Sequence, residues 1–374
     1  MKELSRAATR RTRTPLSTPV AVLALATTTA CAPDATSVPV VTELLPYASS
    51  AAPLSATFGI ALVSEEIACV INSYESRIHC VDRSDGGVAV FGREGEGPGE
   101  FDGLSSIERG PDGQVVAIDV GSARMTYFEL DGTVVSETPL PPLFQPSQLR
   151  GGRLFGVKVG LPDFASGETQ PTYVPMVIDA SSGEVLWERT DLPGAVGREC
   201  FSGAVGTSTP AGGLVFEACG NELAFLADRD APSAIVAASP NYVETLPNDR
   251  DVGEQMELIT GVGRYGGMPD SAIAARVAEF RAKPKDWILK RDAFGFDHRD
   301  RLWVATTHDH DAYSYFDVWT DTVYAGAARV RDRLMSFDIF GSTLVTLAER
   351  TPGADGIGEL AIDWYDLGEV ADVP

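Results

Sequence analysis

The chain has 374 residues and a formal net charge of −23, with 53 acidic against 30 basic side chains. Such a surface repels phosphate backbones and anionic headgroups, which argues against a nucleic-acid partner and against membrane attachment through a basic patch. Apolar residues make up 44% of the chain, enough for a large core, and the 37 Gly and 24 Pro punctuate short apolar runs, as many short strands joined by turns require.

In chain order, residues 1–30 read as a signal peptide of the lipoprotein type. Lys2, Arg6, Arg10, Arg11 and Arg13 form a basic leader, and an apolar stretch from Pro15 to Ala30 follows. That stretch is too short to span a bilayer, which takes about 20 apolar residues. Cys31 comes directly after Thr28, Thr29 and Ala30, the place of the cysteine that becomes the lipidated N-terminus in a bacterial lipobox. Thr28 stands where that pattern prefers an aliphatic residue, so ordinary cleavage after Ala26 or Ala30 stays open. Arg10-Arg11 could serve twin-arginine export, but the apolar residues expected after the pair are absent. Residues 31–54, rich in Ala, Ser, Thr and Pro, read as a flexible tether. Segment 1–30 carries +4, which leaves −27 for the rest.

Residues 55–370 read as six repeats of short strands. The first covers about 55–92 and holds Cys69 and Cys80; pairing their two runs about a tip at Tyr74-Glu75 sets the cysteines opposite each other, close enough for a disulfide. Cys200 and Cys219 could form a second local bridge, and four buried thiols are the alternative. The second repeat, about 91–135, shows apolar runs at Leu104–Ile107, Val115–Asp119, Arg124–Phe128 and Thr133–Val135, with Asp112-Gly113 and Asp131-Gly132 as hairpin turns. The third covers about 145–190, the fourth 200–240, the fifth 289–330 and the sixth 333–367. The ring they imply should close by pairing strands from both chain ends, since an open edge strand invites aggregation. Residues 246–288 fit no repeat. Ile273, Val277 and Phe280 at helical spacing predict a short amphipathic helix there, capped by Asp270 or Ser271 and ended by Pro284.

Gly92-Arg-Glu-Gly-Glu-Gly-Pro-Gly-Glu-Phe101, followed by Asp119, Arg124 and Asp131-Gly132, resembles an NHL repeat, as Asp300–Val304 does later in the chain. The resemblance covers about 60–140 and 285–330. It implies an all-β fold, a six-bladed β-propeller (NHL/TolB-like) with one helical insertion, of the kind exported by environmental and gut bacteria. It also implies that Gly95, Gly97, Pro98, Gly99 and Phe101 belong to a blade-connecting loop, and that Asp119 and Arg124 form an ion pair within the blade. The same loop lacks the following helix and the Lys-Ser/Thr of a phosphate cradle.

His308-Asp-His-Asp311 is the most ligand-like cluster. If extended, His308 and His310 point to one side and could hold a divalent metal ion. Propeller enzymes such as amidating lyases and lactonases take metal ligands from several blades, and no such spaced set is visible. No Gly-x-Ser-x-Gly elbow is present either. The reading is therefore a cell-envelope module without cofactor. Its loops and channel would recognise a protein, glycan or small ligand, and its only membrane contact would be the lipid. A metal-dependent hydrolase or lyase is the alternative.

Overall fold

Runs such as Val115–Ile118 carry consecutive apolar side chains, all of them closed to solvent. A strand of this kind needs a packed neighbour on each face, because successive side chains point to opposite sides. The computed structural model meets that need by stacking sheets side by side. It describes residues 41–368, apart from 53–56, 73, 85, 161–171, 191–204, 219–221, 229, 232–233, 254–255, 257–268, 290–291, 309–311 and 352–357.

Two strands precede the repeats, β1 (Val41–Glu43) and β2 (Ala48–Ala51). Blade one is β3 (Thr57–Leu62), β4 (Ile67–Asn72), β5 (Arg77–Asp82) and β6 (Val88–Phe91). Blade two is β7 (Leu104–Arg109), β8 (Val115–Asp119), β9 (Arg124–Phe128) and β10 (Val134–Pro139). Blade three is β11 (Phe144–Arg150), β12 (Arg153–Gly160), β13 (Thr172–Asp179) and β14 (Val185–Glu188). Blade four is β15 (Gly206–Ser208), β16 (Leu214–Glu217), β17 (Glu222–Leu226) and β18 (Ile235–Ala238). Blade five is β19 (Phe294–Phe296), β20 (Leu302–Thr306), β21 (Tyr313–Thr320) and β22 (Val323–Arg331). Blade six takes β23 (Arg333–Phe340), β24 (Thr343–Glu349) and β25 (Leu360–Asp366) from the C-terminal part, and β2 as its outer strand. The strands of each blade follow one another as antiparallel neighbours, and the molecule is a six-bladed β-propeller.

The ring closes through both ends of the chain, as expected. β2 pairs antiparallel with β25, Ala48 opposite Trp364 and Ala51 opposite Ala361. β1 adds a parallel fifth strand to blade five, along Ala327–Arg329 of β22. There Glu43 meets Arg329 at 2.6 Å and Arg331 at 3.2 Å. The tether expected over 31–54 therefore overlaps the propeller, whose first described strand starts at residue 41 rather than 55. Both segments are outermost strands with at most one sheltered face, so their sequences lack the apolar runs that mark the inner strands. The signal segment 1–30 and Cys31 lie outside the described residues.

Six hydrophobic clusters hold the ring, one at each junction between neighbouring blades. β8 shows how one strand feeds two of them. Val115 and Ala117 face blade one, and Val116 and Ile118 face blade three. Cys69 and Cys80 oppose each other on β4 and β5 and form a disulfide within the junction of blades one and two. Cys200 and Cys219 lie outside the described residues.

The insertion carries α1 (Asp270–Ala282). Pro269 takes the N-cap position with no side-chain cap, in place of the expected Asp270 or Ser271. Proline is already extended there, and Asp270 sits in the first turn, where its charge favours the helix dipole. Ile273 is buried, and Val277 and Phe280 are half-buried, so the expected apolar stripe is the sheltered face.

Candidate functional site

Each inner strand leaves one edge without a strand partner at the central channel. Backbone groups sheltered there need other partners. Side chains of neighbouring blades supply them. Ser336 Oγ accepts the Ile60 N–H at 3.0 Å and Asp338 accepts the Leu62 N–H at 2.9 Å, tying blade six to blade one. Arg109 donates to the Leu62 carbonyl at 3.0 Å. The Ser147 hydroxyl donates to the Gly206 carbonyl at 2.9 Å and accepts the Gly206 N–H at 3.0 Å. Gln148 donates to the Phe294 carbonyl at 2.7 Å, reaching from blade three to blade five. The middle of the channel is thus crossed by polar side chains, which leaves the two mouths as places where a ligand can sit.

The upper face is the one at which the inner strands begin. The connections between blades emerge on it, among them the loop 92–103 and the insertion. A recess of about 390 Å³ opens at the upper mouth, with Phe58, Ser105, Phe144, Gln145, Ser147 and Asp292 in its lining. Blades one, two and three and the connection into blade five all contribute to it. Such a volume suits a small ligand, with rings to cover it and a few polar groups to orient it. Asp292 also accepts a hydrogen bond from Ser336. Glu108 lies deeper, on β7. Burial pushes its carboxyl well above the ordinary range, and the Asp292 and Asp338 carboxylates reinforce the shift against the Leu149 amide and Arg109.

The loop 92–103 joins the outer strand of blade one to the inner strand of blade two, as expected. Phe101 is fully buried and packs its ring 5.9 Å from that of Phe128. Gly99 has φ +71, and a Cβ on it would lie 2.9 Å from Val134 Cγ2; a larger residue would be both strained and crowded. The Glu100 carboxylate folds back on the loop, accepting from the Gly97 N–H and from Arg93, both at 2.8 Å.

Asp119 and Arg124 do not form the expected ion pair, although they stand opposite each other in the β8–β9 register. Asp119 accepts four backbone N–H groups: Asp102 at 2.9 Å, Gly103 at 2.8 Å, Gly121 at 3.0 Å and Ser122 at 3.1 Å. Arg124 donates to the carbonyls of Glu96, Gly97 and Glu100 and lies 3.5 Å from Glu137. The two residues clamp one loop from its two ends, the carboxylate taking amides and the guanidinium taking carbonyls. Buried backbone groups outcompete a charge pair because they have no water to turn to.

In blade five, a buried carboxylate holds Trp287 of the insertion and the residues that lead into it. Asp317 on β21 accepts from Ser239 Oγ at 2.6 Å, Asn241 Nδ2 at 2.8 Å and Trp287 Nε1 at 2.9 Å. Burial raises its pKa, while those three donors and nearby His308 pull it back. His308 is a ring in this packing, 5.4 Å from Trp287 and 4.7 Å from Tyr315. His310 lies outside the described residues. Among the described residues, no three His, Cys, Asp or Glu side chains converge so as to hold a metal ion.

Sequence reasoning missed Glu108, Asp292 and Asp317. The signal was present in part. Glu108 and Asp317 interrupt runs that are otherwise those of buried strands, and a charge there needs a partner or a proton.

No family model matches the chain, and no curated protein does. Solved structures do. A protein of Bacteroides fragilis described as exported is 12% identical over 87% of this chain and 99% of its own, with a TM-score of 0.48. A member of the DUF4221 family from Bacteroides vulgatus is 11% identical over 86% and 97%, with a TM-score of 0.49. The calcium-binding protein regucalcin of Agrobacterium tumefaciens is 13% identical over 87% and 95%, with a TM-score of 0.45. At these identities the likeness is one of fold alone.

Proposed function

We propose that this chain is an exported, NHL-like recognition module of the cell envelope. It binds its partner without chemistry, at the upper mouth of the propeller, and is tethered to a membrane by a lipid on Cys31. The observation that carries the binding site is the recess lined from several blades by hydroxyl, amide, carboxylate and phenyl groups. Such a lining suits a ligand with hydroxyl or amide groups, a glycan or a polypeptide loop, held by Gln145 and Asp292 and flanked by the two rings. The strongly acidic chain argues against nucleic acid. The Cys69–Cys80 disulfide supports an oxidising compartment.

A photo-reactive amino acid at Gln145, on the rim, and a second at Glu129, on a hairpin of the lower face, test this in the producing cell. Intact mass should show a defined adduct at Gln145 that Glu129 does not give. Equal labelling at the two sites, or none at Gln145, would overturn the assignment of the upper mouth.

A further inference from the structure

A sheltered cation without a counter-ion is costly, and a native protein that keeps one has a use for it. Arg150 ends β11 at the lower mouth of the channel. Its guanidinium lies over the ring of Phe296, 4.7 Å from the centroid. Phe296 belongs to blade five, so this side chain of blade three passes beyond blade four. The charged groups that act on it are Asp338, Arg109, Glu108 and Asp300. They come from blades two, five and six, and side chains from so many blades converge only near the axis.

Among the described residues, no carboxylate lies within ion-pair distance of Arg150. Its Nε is sealed from solvent and meets no acceptor, and it is the one nitrogen of the three so sealed. Burial disfavours its charge, against a partial offset from Asp338. With 53 acidic side chains against 30 basic, the chain does not lack carboxylates to place there. The neighbouring groups are already committed. Arg109 donates to the Leu62 carbonyl, lies 3.9 Å from Asp338 and covers the Phe340 ring at 4.3 Å. The Asp338 oxygens accept the Leu62 and Ile339 amides.

We propose that the lower mouth of the channel binds an organic carboxylate, with Arg150 as its anchor and Phe296 and Phe340 beside it. One unpaired positive charge calls for a monoanion, and Asp338 and Asp300 repel a second negative charge. A carboxylate is planar and matches the guanidinium fork. Phe340 is 39% exposed at this rim and offers apolar surface to the body of the ligand.

Thermal unfolding and calorimetric titration of the whole protein test this, with benzoate, acetate, inorganic phosphate and chloride at constant ionic strength. Benzoate should bind saturably and raise Tm, acetate should bind more weakly, and phosphate and chloride should not saturate. Arg150→Met should weaken benzoate binding by about tenfold or more and leave the ligand-free Tm about unchanged, because the side chain it replaces has no carboxylate partner to lose. Arg150→Lys keeps the charge without the fork, and Phe340→Ala removes the apolar rim. Each should weaken benzoate, so the test stands even if the Met variant fails to fold. Absence of saturable benzoate binding up to about 10 mM, a threshold far weaker than any selective site, would overturn the proposal. So would unchanged binding by all three variants, or phosphate binding that depends on Arg150.

Discussion

Replacing Asp119 isolates the clamp on the blade-connecting loop. Oδ1 accepts three backbone N–H groups, from Gly103, Gly121 and Ser122, and Oδ2 accepts the one from Asp102. Asp119→Asn can keep its oxygen toward the three, and its NH2 then confronts the Asp102 N–H, donor against donor. One charge-assisted bond is lost and one amide is left without an acceptor, a cost of ~2–3 kcal/mol. Asp119→Ala strands all four amides, and partial relaxation brings the cost to ~5 kcal/mol rather than the full sum. With an unfolding entropy of about 2.1 cal/mol/K per residue, Tm should fall by roughly 3–4 °C for Asn and about 7 °C for Ala. Burial pushes the Asp119 carboxyl up, but the amides of Asp102, Ser122 and Gly103 and the Ser122 hydroxyl outweigh it and hold the pKa below the ordinary value. A depressed carboxylate contributes stability that is present above the unfolded pKa and is lost as pH falls through the folded one. The gap between wild type and Asp119→Asn should therefore be constant from pH 8 to about 5 and narrow below about 4. Scanning calorimetry across that range checks it. An Asn variant within a degree of wild type, or a gap that widens in acid, would refute the amide clamp.

Removing the disulfide with Cys69→Ser and Cys80→Ser opens a short loop of sequence separation 11; chain entropy puts the loss at about 3 kcal/mol, to be read as a fall in Tm that reductant reproduces in the wild type alone. Glu108→Gln should stabilise at high pH. A raised carboxyl costs stability as pH rises from the unfolded pKa through the folded one, and Gln does not titrate, so the difference in Tm should grow in favour of Gln above about pH 5 and then flatten. Asp317→Ala strands Trp287 of the insertion and Ser239 and Asn241, which lead into it; proteolysis between residues 249 and 287 should become at least about tenfold faster as that segment opens locally, with a smaller change in the global transition.

The blades were legible because their signal is local. Short apolar runs bounded by Asp-Gly and Ser-Gly turns placed the strands of each blade, although the second repeat also took in the connecting loop 92–103, and the paired cysteines followed from one hairpin register. β1 and β2 were not legible, since Val41–Glu43 and Ala48–Ala51 are outermost strands whose partners lie more than 280 positions later. Asp119 and Arg124 were found as residues and misread as a pair. Register alone puts them opposite each other, whereas their partners are backbone groups of a loop, which a strand pattern does not display. The groups at the two mouths were hidden for a related reason. Arg150 and Asp292 come from blades far apart in sequence, and only ring closure brings them toward one axis.

That closure also decides which polar residues at the axis are available to a ligand. Six inner strands face the channel with unpaired edges, so the fold itself requires donors and acceptors there before any ligand is considered. Ser147, Gln148, Ser336, Asp338 and Arg109 meet that requirement, each bonded to the backbone of another blade. Their convergence on the axis is therefore no sign of binding. What separates structure from site is whether a polar group has a partner. Gln148 ends on the Phe294 carbonyl, while Arg150, two residues further along the same strand, ends on a phenyl ring with no anion beside it. If both served only the ring, replacing either should lower stability alike. The arrangement instead requires that loss of Gln148 loosen blade three from blade five, and that loss of Arg150 leave the ring intact.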